Sequence, residues 1–101
     1  MDYFRMRLEK AESRRRWGEL TELVNAWDPV GLIAMGAPGD EYDCVVGDVL
    51  RALERGESAA GLAGLLATHL PEHFGSAVAN PKPFAEQAVA WYNARWPGSH
   101  A

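Results

Sequence analysis

Apolar residues recur along this chain at intervals of three and four, the spacing that places side chains on one face of an α-helix. The first such stripe consists of Trp17, Leu20, Leu23, Val24 and Trp27. It predicts an amphipathic helix over about residues 14–26. Pro29 disfavours helical geometry at Asp28 and is expected to end this helix.

A shorter apolar stripe, made of Phe4, Leu8 and Ala11, precedes the first one. The two stripes are out of register, because the step from residue 11 to residue 17 turns a helix by about 600°, or about 240° beyond a full turn. Either the helix breaks near Ser13, or residues 2–12 pack on a different face. We expect residues 1–13 to form an accessory helix and residues 14–96 the core of a single domain spanning residues 1–101.

The second predicted helix begins in the sequence PGDEYD, residues 38–43. Asp40 is the expected N-cap, and Asp43 stands three residues later, where a capping box carries its second polar side chain. Gly56 is expected to end the helix. Cys44 lies within the apolar pattern, so we expect it to be buried. It is the only cysteine, which excludes a disulfide within the chain.

Two more helices follow in the second half of the sequence. Ser58 is the expected N-cap of the third, which Pro71 should bend or restart and Gly75 should end. The fourth should begin near Asn80 and stop before Pro97. No stretch shows the alternation of a β-strand, and no repeat is visible. The pattern therefore predicts an all-α fold, a compact bundle of four to five short helices around a single core.

Charge is distributed unevenly within a net charge of −4. Residues 1–16 carry six basic and three acidic side chains, whereas the rest of the chain carries four basic and eleven acidic ones. The arginines at 14, 15 and 16 fan around a helix at about 100° per residue and form no single basic patch. An acidic body disfavours nucleic acid and favours a basic protein partner.

Membrane association is not indicated by the hydropathy pattern. The N-terminal sequence has no apolar core of a signal peptide. The longest uncharged apolar run, at residues 30–38, is far shorter than the roughly 20 residues that span a bilayer. We therefore expect a cytoplasmic protein.

A possible metal motif, HxxEH, is spelled by His69, Glu72 and His73. In a metal-dependent hydrolase the two histidines share a helical face and the glutamate acts as general base. Pro71 opposes this reading because a proline inside a helix costs about 3 kcal/mol. A third ligand also lacks a natural position. We therefore expect no cofactor and keep the small hydrolase as an alternative.

Four acidic residues cluster around the connection between the first two predicted helices: Asp28, Asp40, Glu41 and Asp43. Their spacing does not match a calcium-binding EF-hand loop. Helix capping and turn formation account for Asp28, Asp40 and Asp43 but leave Glu41 without a role. Docking of a protein partner by exposed carboxylates is a second interpretation, and both can hold together.

The same connection carries a recognisable signature. Trp27-Asp28-Pro29-Val30-Gly31, followed by Pro38-Gly39-Asp40-Glu41-Tyr42-Asp43, resembles that of the YugE-like family of small bacterial proteins. The resemblance covers about residues 17–55. It implies a small all-α fold of about four helices, with Trp27, Pro29, Gly31 and Tyr42 as structural residues. The family has no established activity, so the resemblance implies no catalytic residue.

Our leading hypothesis is a non-enzymatic protein-binding module whose acidic face, at Asp28, Asp40, Glu41 and Asp43, docks a protein partner. Small acidic helical proteins also occur as immunity proteins beside bacterial toxins, so an inhibitor of a basic toxin is one specific version. The alternatives are the small metal-dependent hydrolase and a structural, oligomerising subunit. The sequence does not define an oligomeric state.

Overall fold

The computed structural model describes residues 2–75 and 80–96, with side chains described from Lys10 onward. Across these ranges the chain forms four helices and no strand: α1 (Asp2–Trp27), α2 (Asp43–Glu54), α3 (Ala59–Phe74) and α4 (Lys82–Arg95). The predicted all-α class is confirmed. No helix in the described part of the chain is both long enough and apolar enough to cross a bilayer.

The first helix is continuous over 26 residues, so of the two alternatives given for residues 2–12, a break near Ser13 does not occur. Strong helix formers surround Ser13, and a shift in the apolar stripe does not interrupt backbone hydrogen bonds. Among the α1 side chains described, which start at Lys10, the first that is fully inaccessible to solvent is Leu20, and Val24 is the second. Trp17, expected in the core, is 38% exposed. Its ring lies against Gly47 at the edge of α2.

One core joins all four helices. The most extensive contacts pair α1 with α2 and α3 with α4, and smaller contacts join α2 to α3 and α1 to α4. The larger buried side chains that fill this core include Leu20, Val24, Tyr42, Val46, Val49, Leu50, Leu53, Leu62, Leu66, Leu70, Phe84, Tyr92 and Trp96. Burial of such apolar area is the main force that holds short helices together.

The third helix begins and ends where local chemistry predicts. The Ser58 Oγ accepts a hydrogen bond from the Gly61 N–H at 3.0 Å, and Gly75 ends the helix at φ 66°. The expected restart at Pro71 does not occur, because Pro71 lies inside the continuous helix. Leu70 is buried and Phe74 packs against the core, so tertiary contacts offset the cost of the proline.

Polar contacts fix the fourth helix against the first. The Asn80 Oδ1 accepts from the Lys82 N–H at 3.1 Å just before α4 begins. On α1, Glu19 accepts from the Trp91 Nε1 at 2.9 Å and from the Arg95 guanidinium at 2.5 Å. These contacts bring the C-terminal half of α4 alongside the middle of α1.

Arg16 bridges three helices. Its guanidinium donates to the Glu54 carboxylate and to the Tyr92 hydroxyl, both at 3.1 Å. It also lies 4.8 Å from the centroid of the Trp96 ring, a distance typical of a cation–π contact. Its neighbours at residues 14–15 are exposed. This agrees with the expectation that the three arginines do not form one patch.

Candidate docking loop between the first two helices

Residues 28–42 connect α1 to α2, and Asp28 organises the start of this connection. The Asp28 backbone N–H donates to the Val24 carbonyl at 2.8 Å, which completes the last turn of α1. Asp28 then adopts φ 48°, a left-handed conformation that aspartate tolerates better than most residues. Its carboxylate accepts from the backbone N–H groups of Ile33 at 3.0 Å and Ala34 at 2.9 Å. The expected turn role of Asp28 is confirmed.

Tyr42 closes the connection from its other end. The ring is fully buried and meets the Phe74 ring edge-on, with centroids 5.6 Å apart. The Tyr42 hydroxyl donates to Asp28 Oδ1 at 2.6 Å. It also accepts from the backbone N–H groups of Val30 at 3.2 Å and Leu32 at 3.3 Å. One phenol therefore ties the end of α1, the middle of the loop and the start of α2 together.

The hydrogen bond between Asp28 and Tyr42 contributes to moving the pKa of both groups away from neutrality: the pKa of Asp28 is lowered and that of Tyr42 is raised. It is the main cause that lowers the pKa of Asp28, with further lowering from the Ile33 and Ala34 N–H groups and an opposing effect of burial. Burial is the main cause that raises the pKa of Tyr42, followed by the hydrogen bond to Asp28. Asp28 is thus an ionised acceptor and Tyr42 a protonated donor.

The other residues of the WDPVG step have packing and backbone roles. Trp27 stacks on Phe84 of α4 with ring centroids 4.4 Å apart and planes within 10° of parallel. Pro29 is buried. Gly31 adopts φ 78°, where a side chain would be strained, and its N–H donates to the Asp28 carbonyl at 3.1 Å. Together with Asp28 and Tyr42, these residues form one packed and hydrogen-bonded unit at the end of α1.

Asp40 does not cap α2, contrary to expectation. Residues 39–42 form a turn in which the Asp40 carbonyl accepts from the Asp43 N–H at 3.2 Å. The helix therefore starts at Asp43, with Tyr42 in the N-cap position and no side-chain cap. Asp43 occupies the first turn rather than the second polar position of a capping box. There its negative charge interacts favourably with the positive end of the helix dipole.

Three carboxylates of the predicted acidic face point to solvent: those of Asp40, Glu41 and Asp43 are all exposed. In the described ranges none of them makes a side-chain hydrogen bond or an ion pair. Asp28, the fourth predicted member, differs because it is half-buried and its oxygens accept from inside the loop. The structure thus separates one loop-forming acid from three surface acids.

An apolar side chain that the sequence reasoning missed lies on the same loop. Met35 is 74% exposed. Gly36 follows it at φ 89° and turns the chain back toward α2. The preceding Leu32 and Ile33 pack partly against the core, so Met35 is left at the outer end of the apolar run. Gly36, which directly follows Met35, was the feature of the sequence that could have indicated this exposed position.

Cys44 is exposed, so the expectation that it is buried is wrong. On α2 the buried stripe passes through Val45, Val46 and Val49. Cys44 instead shares the polar side of the helix with Asp48, one turn later.

The HxxEH residues lie near the end of α3. The His69 and His73 rings meet edge-to-face with centroids 6.5 Å apart. Glu72 is exposed. Among the residues whose placement is described, no group of three His, Cys, Asp or Glu side chains is arranged to hold a metal ion. A hydrolytic metal centre made of His69, Glu72 and His73 is therefore not assembled.

Comparison with known proteins adds no family to this geometry. No family model matches the chain, and no curated protein or solved structure matches it either. The resemblance to the YugE-like family stays a prediction, based on the residues from Trp27 to Asp43.

Proposed function

We propose that this chain is a non-enzymatic, cytoplasmic protein-binding module that docks a basic protein partner on the loop between α1 and α2. Asp40, Glu41 and Asp43 provide the acidic contact surface, and Met35 provides an apolar contact beside it. Asp28 acts indirectly, by holding the loop in shape. An immunity-type inhibitor of a basic toxin is the specific version of this proposal.

The observation that carries the proposal is a contrast within the loop. Its two ends are fixed by hydrogen bonds, whereas the carboxylates of Asp40, Glu41 and Asp43 are exposed. The two ends of the loop are held together by five hydrogen bonds that involve the side chains of Asp28 and Tyr42. The side chains of Asp40 and Glu41, close to Tyr42 in the chain, are exposed and make no hydrogen bond or ion pair within the described residues. A loop already fixed in one conformation loses little conformational entropy when a partner binds.

Charge complementarity gives this interface a measurable property. Surface carboxylates that meet a basic patch speed the encounter of two proteins, and added salt screens the effect. Because Met35 is uncharged, its contact with the partner would persist at high salt. We therefore expect the association rate to depend on salt more strongly than the dissociation rate does.

The test uses proteins captured from a lysate by the full chain at low salt, each then purified and measured against two charge variants. Asp40→Lys/Glu41→Lys reverses the proposed surface. Glu72→Lys/Glu86→Lys changes net charge equally at exposed positions elsewhere. For a true partner we expect the first variant to slow association by about tenfold or more. The second should slow it much less.

The contrary result is equally clear. If both variants slow association by the same factor, only net charge matters and the loop is not the docking site. A partner whose association ignores salt and both variants would contradict the electrostatic proposal altogether.

A further inference from the structure

A second cluster of polar side chains lies outside the docking loop, where α2 faces α3. The His69 Nδ1 lies 3.3 Å from Asp48 Oδ2. The Arg51 guanidinium pairs with the other oxygen of the same carboxylate, Oδ1. Asp48 is therefore held from both sides, and its position relative to His69 is defined.

The contact with Asp48 selects one tautomer of His69. An ionised carboxylate only accepts hydrogen bonds, so Nδ1 of a neutral imidazole carries the proton in this contact. The lone pair is then on Nε2, which points away from the carboxylate. Histidines that bind metal ions commonly have this arrangement, with one ring nitrogen on the ion and the other donating to a carboxylate.

His73 lies one helical turn after His69 on the same side of α3, because the helix is continuous through Pro71. A coordinating imidazole nitrogen lies about 2.0–2.1 Å from a zinc ion. The centroids of two rings that bind the same ion are therefore about 5–6 Å apart. The present separation is 6.5 Å. His73 is exposed, so its side chain has room to rotate toward His69.

We propose that His69 and His73 bind a divalent transition-metal ion of the zinc class, independently of the docking loop. The ligands are Nε2 of His69 and one ring nitrogen of His73, and water completes the coordination. Imidazole is a good ligand for zinc, copper and nickel. Asp48 orients His69 without touching the ion, and Glu72 takes no part. This site shares its two histidines with the HxxEH motif, but Asp48 rather than Glu72 acts on them, and the site carries no hydrolytic step.

The test is calorimetric titration of the untagged full chain with zinc chloride. We expect one zinc ion per chain. His69→Gln and His73→Gln should each weaken binding by at least about tenfold. Asp48→Asn should weaken it by about tenfold while His69 and His73 remain, because the carboxylate that orients His69 and attracts the cation is lost. Zinc should raise the melting temperature of the wild-type chain but not that of either histidine variant.

Two control variants test other residues that could bind zinc. Cys44→Ser removes the exposed thiol, and His100→Gln removes the remaining histidine of the sequence. Both should bind zinc as the wild type does, within about twofold. Binding that follows Cys44 or His100, binding that survives loss of both His69 and His73, or no binding at millimolar zinc would each overturn the proposal.

Discussion

Phe84→Ala should lower the free energy of unfolding by about 3–5 kcal/mol, the usual cost of deleting a buried aromatic side chain. Phe84 is only 3% exposed. Its ring stacks on Trp27, so the substitution removes both buried area and the partner that holds the first residue of the WDPVG step. Chemical denaturation of the two proteins, monitored by circular dichroism, measures the difference.

Phe84 also borders an open cleft of about 350 Å³ between α1 and α4. Water can enter the vacated space from this cleft, which favours the lower part of the expected range. Phe84→Leu is the matched control, since it keeps most of the apolar volume but loses the stacked ring. It should cost less than the alanine variant, and the residual cost should include the roughly 0.5–1.5 kcal/mol of an aromatic pair. A loss below about 1 kcal/mol for Phe84→Ala would contradict the described packing.

Tyr42→Phe should lower the free energy of unfolding by about 1–3 kcal/mol, although it removes a single oxygen atom. The ring and its contact with Phe74 remain. The backbone N–H groups of Val30 and Leu32 lose their acceptor, and Asp28 loses its hydroxyl donor. Leaving such groups without partners is what makes the loss costly.

Urea denaturation at neutral pH measures this loss, and Tyr92→Phe is the comparison. Tyr92 is almost as completely buried, and its hydroxyl accepts from Arg16. Arg16 still pairs with Glu54 when that hydroxyl is removed, and Tyr92→Phe leaves the hydrogen bonds of the loop intact, so this variant measures the cost of losing a buried phenol hydroxyl elsewhere in the core. A change below about 0.5 kcal/mol for Tyr42→Phe would show that its hydroxyl does not hold the loop.

The parts of the fold that sequence reasoning predicted depend on local chemistry. Ser58 caps α3 and Gly75 ends it because each acts on backbone groups within four residues. The apolar stripe of α2 likewise defines its buried face from spacing alone. Such features need no knowledge of what lies across the core.

The errors arose where distant residues decide the outcome. Asp40 has the side chain of an N-cap, but the turn that positions Tyr42 in the core delays the helix to Asp43. Trp17 has the spacing of a core residue, but its ring packs next to Gly47 of α2 and remains 38% exposed. Pro71 remains helical because core contacts of its neighbours offset its local cost.

The candidate site shows the same division. The exposed charge of Asp40 and Glu41 could be predicted from their type and position. The bond from Tyr42 to Asp28 could not, since it joins residues 14 positions apart through a buried hydroxyl. The contact of Asp48 with His69 was missed for the same reason, because it depends on how α2 and α3 are placed.

The central claim is that Asp28 and Tyr42 act as one hydrogen-bonded unit that shapes the loop carrying the acidic surface. The most direct measurement is a double-mutant cycle with Asp28→Ala and Tyr42→Phe, followed by urea denaturation at neutral pH. If the two residues form one unit, the cost of Tyr42→Phe should fall to less than half once Asp28 is already replaced. If Tyr42→Phe costs the same with and without Asp28, the two residues act separately and the claim is contradicted.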